Sequence, residues 1–424
     1  MTQASFITPD REALQCNYLR VRSTTDSLVE SLTPEDMVIQ TMPDVSPTKW
    51  HLAHTSWFFE TFVLARSGVP YSVFDERYHD LFNSYYESLG VASPRAERGL
   101  LSRPTVKDVC VYRSHVDKAM EKLMDRLSEE RLARLAPVIS IGLNHEQQHQ
   151  ELLLMDIKHV LARNPLRPVY REGKAAEARA PRSREWRSFE GGLVEVGSQS
   201  TGFAFDNERP RHKVFLQAFE LAPRPVTNGE YLAFMSDDGY GRPELWLAEG
   251  WALVQSESWR APLYWELADS RWRMMTLAGM RDVDPLEPVC HVSYFEADAF
   301  ATWAGRRLPT EAEWEHAASA RPLRGFFLED EVFHPVASSP AYKGPALEQQ
   351  FGDVWEWTAS PYTPYPGYEP FGGGLGEYNG KFMVNQMVLR GGCCVTPRGH
   401  VRPTYRNFYF PHQRWMFAGL RLAR

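Results

Sequence analysis

Long apolar runs, paired cysteines and a strong charge of either sign are all missing from this chain, and each gap removes a class of protein. A bilayer-crossing helix needs roughly twenty consecutive apolar residues, and no stretch of the sequence comes near that. The opening MTQASFITPDREALQC has no basic region leading into an apolar core, so the chain reads as cytoplasmic. Its five cysteines, Cys16, Cys110, Cys290, Cys393 and Cys394, are odd in number and show no Cys-x-x-Cys spacing. That argues against both a disulfide framework and a thiolate-built structural zinc site. Cys393 and Cys394 are adjacent, a spacing that rarely closes an unstrained bridge, so simple packing is expected of them. A net charge of −7 leaves no electrostatic footprint for nucleic acid, and small molecules are the expected partners. No repeat of fixed period is present either.

What is there divides into two textures. At 424 residues the chain is too long for one compact core and fits two. The first part reads as helical. An amphipathic stretch through Tyr18, Leu28 and Leu32 ends near Thr33 and Pro34. A second helix has Ser46 as N-cap and Pro47 at its first position, with Trp50, His54, Trp57 and Phe58 on one side and Gly68 just past its end. A third follows Arg103-Pro104-Thr105, with Val109, Tyr112, Val116, Met120, Leu123 and Leu127 at helical spacing. A fourth runs from about Pro137 to Arg163 and stops before Pro165. Together these predict a four-helix bundle over residues 1–165. Between the second and third helices lies a long aromatic-rich, non-periodic segment, expected to cover the bundle mouth. Residues 166–187, rich in charge, alanine and proline, read as a linker. Residues 188–424 carry short alternating segments such as GGLVEVGS and HKVFLQAFEL, with one clear helix near SYFEADAFATWAG. That pattern predicts an α+β domain with much irregular loop.

The chemistry concentrates in NHEQQHQELLLMDIKH. His145 and His149 lie four apart, so one helical face carries two imidazoles, with Gln148 beside them. A histidine from a facing helix completes a three-nitrogen metal site. His54 of PTKWHLAH is the candidate, and His51, one turn earlier on the same helix, competes for the place. Imidazole suits zinc, iron and copper alike, so the ligand set does not name the metal. His145-Glu146-Gln147-Gln148-His149 also matches the HExxH letters of zinc peptidases, in which the glutamate is the base. Peptidases of that kind take their third ligand downstream, however, where this chain has only linker. In the long loop, Tyr85 and Tyr86 are candidate proton donors, weighed against ordinary aromatic packing. Arg95 and Arg98 of SPRAERG are candidate clamps for a substrate carboxylate.

Taken together, these motifs resemble a known fusion. The first part looks like a DinB-type bundle through WHLAH and HEQQH. The second resembles the formylglycine-generating-enzyme or sulfatase-modifying fold, a C-type-lectin-like α+β arrangement, through GGLVEVGS, GRRLPTEAEWEHAA, GDVWEWTASPY, VLRGG and FAGLRLAR. In this order the two halves are similar to the ergothioneine-biosynthesis sulfoxide synthases, the EgtB family. The resemblance implies an iron(II) enzyme that uses dioxygen to join a cysteine thiol to the imidazole C2 of hercynine, Nα-trimethylhistidine, as a sulfoxide. It implies iron ligands His54, His145 and His149, with Gln148 orienting the hercynine imidazole. It further implies Asn407 and Phe408 around hercynine's carboxylate and trimethylammonium group, where an aromatic face favours a quaternary cation.

Tyr85 and Tyr86 fit the branch of the family that carries its catalytic phenol in the bundle loop. Members that accept γ-glutamylcysteine are expected to have an acidic residue where this chain has Tyr409, so cysteine is the expected thiol, with Arg95 and Arg98 on its carboxylate and γ-glutamylcysteine as the alternative. A copper-dependent formylglycine generator needs two cysteines where Thr396 and Val401 stand, and that pair is missing. A zinc hydrolase and a non-catalytic ligand-binding module remain the rival classes. Glu146 points about a hundred degrees off the ligand stripe, so its replacement by Gln is expected to leave oxygen chemistry largely intact.

Overall fold

The computed structural model describes residues 10–172, 185–199, 202–319, 321–338 and 347–424. The centre of the expected linker, residues 173–184, lies outside the described residues, as do the first nine. The chain forms two compact units. One comprises Met1–Leu166 with Ser200–Phe205 and Pro370–Tyr378, and the other comprises Arg167–Gln199, Asp206–Glu369 and Asn379–Arg424. No helix among the described residues is long and apolar enough to cross a membrane.

The first unit is a helical bundle built on α1 (Arg11–Val29), α2 (Thr48–Phe59), α4 (Val106–Arg126) and α5 (Glu129–Arg163), with α3 (Tyr78–Leu81) a single turn in the long loop. Leu14, Tyr18, Val21 and Leu28 form the buried stripe of α1, and Val109, Tyr112, Val116, Met120 and Leu123 that of α4. α4 starts where a capping box can form. Thr105 accepts from the Asp108 amide while the Asp108 carboxylate accepts from the Thr105 amide, so two otherwise orphaned donors are satisfied. Every residue of α2 is buried, as expected of a helix enclosed on all sides, and it runs on into a π-helical turn, Glu60–Leu64.

Two boundaries differ from the sequence reading. α5 begins at Glu129 and not near Pro137, which sits inside the helix. Ser128 caps it, Glu129 and Glu130 complement the macrodipole, and the long buried face of the helix outweighs one lost backbone hydrogen bond at the proline. In α2 the N-cap is Pro47, at φ −58° and ψ 142°, with no side-chain cap bond. Ser46 is engaged elsewhere: its amide donates to Asp156 Oδ2 at 2.8 Å and its hydroxyl accepts from Arg98 Nη1 at 2.9 Å.

The second unit is α+β, as expected. Its strands are β1 (Arg187–Phe189), β2 (Gly192–Val196), β3 (His212–Leu216), β4 (Phe219–Leu221), β5 (Trp265–Ala268), β6 (Arg271–Thr276), β7 (Gly279–Asp282), β8 (Trp355–Pro361), β9 (Met387–Arg390), β10 (Asn407–Tyr409) and β11 (Ala418–Leu420). They form small sheets ordered β1-β4, β2-β3, β5-β6-β7 and β10-β9-β8-β11, all antiparallel except the β8–β11 pair. The helices α6 (Asn228–Ser236), α7 (Ala248–Ser256), α8 (Tyr294–Trp303) and α9 (Glu311–Ala318) accompany them, α8 being the helix read from SYFEADAFATWAG. Buried arginines clamp the core: Arg421 donates to both oxygens of Glu356, while Arg390 and Arg406 share Glu311. Cys393 and Cys394 are buried thiols in this unit, with the Thr396 hydroxyl donating to Cys393 Sγ, which agrees with packing.

Candidate metal centre

In the first unit α2 and α5 bring three imidazoles together. His54, His145 and His149 are buried, and each offers a ring nitrogen such that all three donor atoms lie within 4.8 Å of one another. Ring centroids are 4.9 Å apart for His54–His145 and His54–His149, and 4.5 Å for His145–His149. His54 lies between two indoles, Trp50 at 4.4 Å and Trp57 at 5.3 Å, each within 14° of parallel. That sandwich leaves the ring rotation about one axis, and a hydrogen bond removes the rest. His54 Nδ1 lies 2.7 Å from the Phe82 carbonyl, which can only accept, so Nδ1 carries the proton and Nε2 the lone pair.

Electrostatics keeps the cluster neutral. Burial pushes all three histidines below their usual range, His145 to about 3, and mutual repulsion adds to this at His54 and His149. His54 Nε2 and both nitrogens of His145 are buried without a hydrogen-bond partner. Orphaned imidazole nitrogens converging on one point are costly unless something fills it. Three neutral nitrogen donors with no carboxylate among them fit a divalent transition metal of the iron-to-zinc series. The residues present therefore fit the metal site that the histidine spacing suggests.

His51 does not join the three. Both its nitrogens are engaged, Nε2 with Asp156 Oδ2 at 3.0 Å and Nδ1 with His149 Nδ1 at 2.8 Å. Glu146 also turns away. Its carboxylate accepts from Arg22 and Arg113, each at 2.8 Å, and from the Thr25 hydroxyl at 2.7 Å. These contacts hold it at about 2, burial notwithstanding. A glutamate ion-paired towards α1 and α4 is turned away from any water at the cluster, so the HExxH letters carry no peptidase base here.

Around the histidines, Gln148 Oε1 accepts a hydrogen bond from Tyr378, whose ring lies 5.7 Å from that of His145. Tyr378 follows the short turn Gly373–Glu377 in the segment that joins this unit from far along the chain. Phe205 stacks on it at 5.4 Å, and the Glu377 carboxylate accepts from the Glu87 and Ser88 amides at 3.0 Å each. Tyr378 is the residue that sequence reasoning overlooked. No local spacing signals a partner 230 positions away.

Tyr86 is fully buried against Trp57 and Phe62, and Tyr85 stacks on it at 4.7 Å, with its ring 6.5 Å from that of Tyr378. Burial first, then the neighbouring phenols, pushes Tyr86 well above the usual tyrosine range. Arg98 is buried, lies 3.3 Å over the Trp50 ring and donates to Ser46 and Ser84, whereas Arg95 is exposed. Asn407 and Phe408 lie on β10 in the second unit. There Asn407 Oδ1 accepts from the Phe408 amide, and the Phe408 ring stacks on Tyr362 at 4.0 Å.

Comparison with known proteins accounts for both halves. Residues 17–153 match the DinB superfamily, and residues 173–346 and 329–424 match the sulfatase-modifying factor enzyme 1-like domain. The hercynine oxygenase of Mycolicibacterium thermoresistibile is 32% identical over 98% of this chain and 95% of its own length. Those of Mycobacterium tuberculosis and Mycolicibacterium smegmatis are each 32% identical over 97% of this chain, covering 98% and 99% of theirs. With that similarity running through bundle, histidine cluster and α+β half alike, this chain belongs to the hercynine oxygenase family.

Proposed function

We propose that this chain is an iron(II)- and dioxygen-dependent sulfoxide synthase that joins cysteine to hercynine. In the balanced reaction, hercynine, cysteine and dioxygen give hercynylcysteine S-oxide and water. The imidazole C2–H and the thiol S–H bonds are lost, a C–S bond forms, one oxygen atom ends on sulfur and the other in water. The observation that carries the reading is the buried, neutral His54–His145–His149 cluster in a chain similar to hercynine oxygenases from end to end. Iron(II) held by three imidazoles would supply open coordination positions and a path by which the four electrons from the two substrates reach dioxygen.

The chain's own residues supply orientation and protons. Gln148, with its amide beside the histidines, would bind the imidazole of hercynine. Asn407 and Phe408 would serve its carboxylate and trimethylammonium group, the latter through a ring face. Arg98, whose guanidinium plane is held by Trp50 and two serine hydroxyls, would clamp the cysteine carboxylate. Arg95, being exposed, would act only at the rim. Tyr85, Tyr86 and Tyr378 are the phenols available to deliver a proton. Of these, Tyr378 touches Gln148 directly. Tyr409, in place of an acidic residue, favours cysteine over γ-glutamylcysteine. Apo-enzyme loaded anaerobically with iron(II), then given hercynine, cysteine and air, should form the sulfoxide with one dioxygen consumed per product. Absence of coupled product with either thiol would reject the reading.

A further inference from the structure

His51 is buried and is not one of the converging donors, yet both its nitrogens are committed. Its Nε2 lies 3.0 Å from Asp156 Oδ2, and its Nδ1 lies 2.8 Å from Nδ1 of His149. Asp156 sits two turns beyond His149 on α5, and the Ser46 amide holds the same carboxylate oxygen at 2.8 Å. A carboxylate only accepts, so the proton between Asp156 and His51 belongs to His51 Nε2. A ring that bears its single proton on Nε2 has its lone pair on Nδ1. Two Nδ1 atoms at 2.8 Å share one proton, which must come from His149. That leaves His149 with its lone pair on Nε2, the same tautomer that the Phe82 carbonyl imposes on His54.

We propose that Asp156 and His51 form a positioning relay that locks His149 as the Nδ1–H tautomer and presents its Nε2 to the metal. The proposal rests on the metal-centre reading above. It explains why two histidines one turn apart on α2 have different duties: His54 faces the centre, and His51 braces a ligand across from it. Such partners fix ring orientation and raise ligand basicity, and their loss weakens metal binding by about ten- to hundredfold.

Three substitutions in the full-length chain test it. His51→Phe keeps ring volume but removes the acceptor, whereas His51→Asn retains an oxygen where Nδ1 stood. Anaerobic competition for iron(II) against a chelator should show His51→Phe weakened about ten- to hundredfold, with His51→Asn recovering most of that loss. Nitrogen-15 spectra of histidine-labelled, metal-free protein should show His149 protonated at Nδ1 in the wild type and mixed in His51→Phe. Wild-type affinity in a folded His51→Phe protein would overturn the relay, as would equal losses in both His51 variants, or a wild-type His149 protonated at Nε2. His149→Ala separates the two levels of inference. If it too keeps wild-type affinity, the metal-centre reading itself fails; if it alone loses metal, only the relay does.

Discussion

Glu146 stands next to one candidate ligand and three residues from the other, yet it belongs to a different network. Arg22 and Arg113 both donate to it inside the bundle, and each also reaches an aspartate, Asp117 and Asp26 respectively. Removing one member of a buried ion cluster leaves uncompensated charge, which typically costs about 3–5 kcal/mol. Glu146→Gln should therefore lower the unfolding free energy by roughly 3 kcal/mol in denaturant titration, while turnover per folded molecule changes little. A peptidase base would show the opposite pattern. The same group gives a pH dependence. Its folded-state value, about 2, lies below the ordinary 4.5, so its contribution is complete above pH 4.5 and is lost as pH falls towards 2. Acid unfolding of Glu146→Gln should lack that component. Tyr378→Phe removes the hydroxyl on Gln148 and should divert product from the sulfoxide towards plain thiol dioxygenation, read by mass spectrometry. Tyr85→Phe and Tyr86→Phe are the comparison, and the largest diversion identifies the donor. At this scale the His145–His149 pair was legible because helical spacing alone sets it. Spacing did not choose between His51 and His54, which only the family resemblance separated, because both share one face of α2 and their duties depend on Asp156 and on a loop carbonyl.

Elements were easier to read than their ends. Apolar spacing marks α1, α2, α4 and α5 because each must bury one stripe or more, and the Thr105 cap of α4 is a local signal. Pro137 misled because a proline at a helix start and one tolerated inside a long buried helix look alike in sequence. The packing of α2 on α5 depends on one small residue that no periodicity singles out. A Cβ on Gly142 would sit 2.6 Å from Phe59 Cε1 and 2.9 Å from Phe58 Cε1. Phe58 in turn packs 4.8 Å from the His145 ring. Gly142→Ala gains up to about 1 kcal/mol of helix propensity, but overpacking costs about 1–3 kcal/mol. We expect net destabilisation in a denaturant midpoint and weaker iron(II) binding, since Phe58, one of the two rings that must yield, supports His145. A gain in stability with unchanged metal affinity would show that the helices can separate at no cost to the centre.

For the molecule as a whole, order along the chain and order in space diverge. Residues 370–378 follow most of the α+β half in sequence, yet they pack within the helical unit, tied by Glu377 to the Glu87 and Ser88 amides and by Tyr378 to Gln148. A boundary drawn at the linker captures the change in composition, but the glycine-rich PFGGGLGEY of residues 370–378 marks a loop without saying which unit it packs in. The arrangement divides labour. All three converging imidazoles come from α2 and α5, so the excursion should be dispensable for metal and needed for chemistry. Glu377→Ala removes its anchor without touching a ligand. Because misplacement of a reacting group by about 1 Å can cost up to a hundredfold, sulfoxide formation should fall by roughly tenfold or more while iron(II) affinity holds. Parallel measurement of chelator competition and single-turnover product formation would distinguish this from a general loosening. If affinity and turnover fell together, the excursion would be part of the framework that holds the histidines, and metal binding would depend on both halves of the sequence.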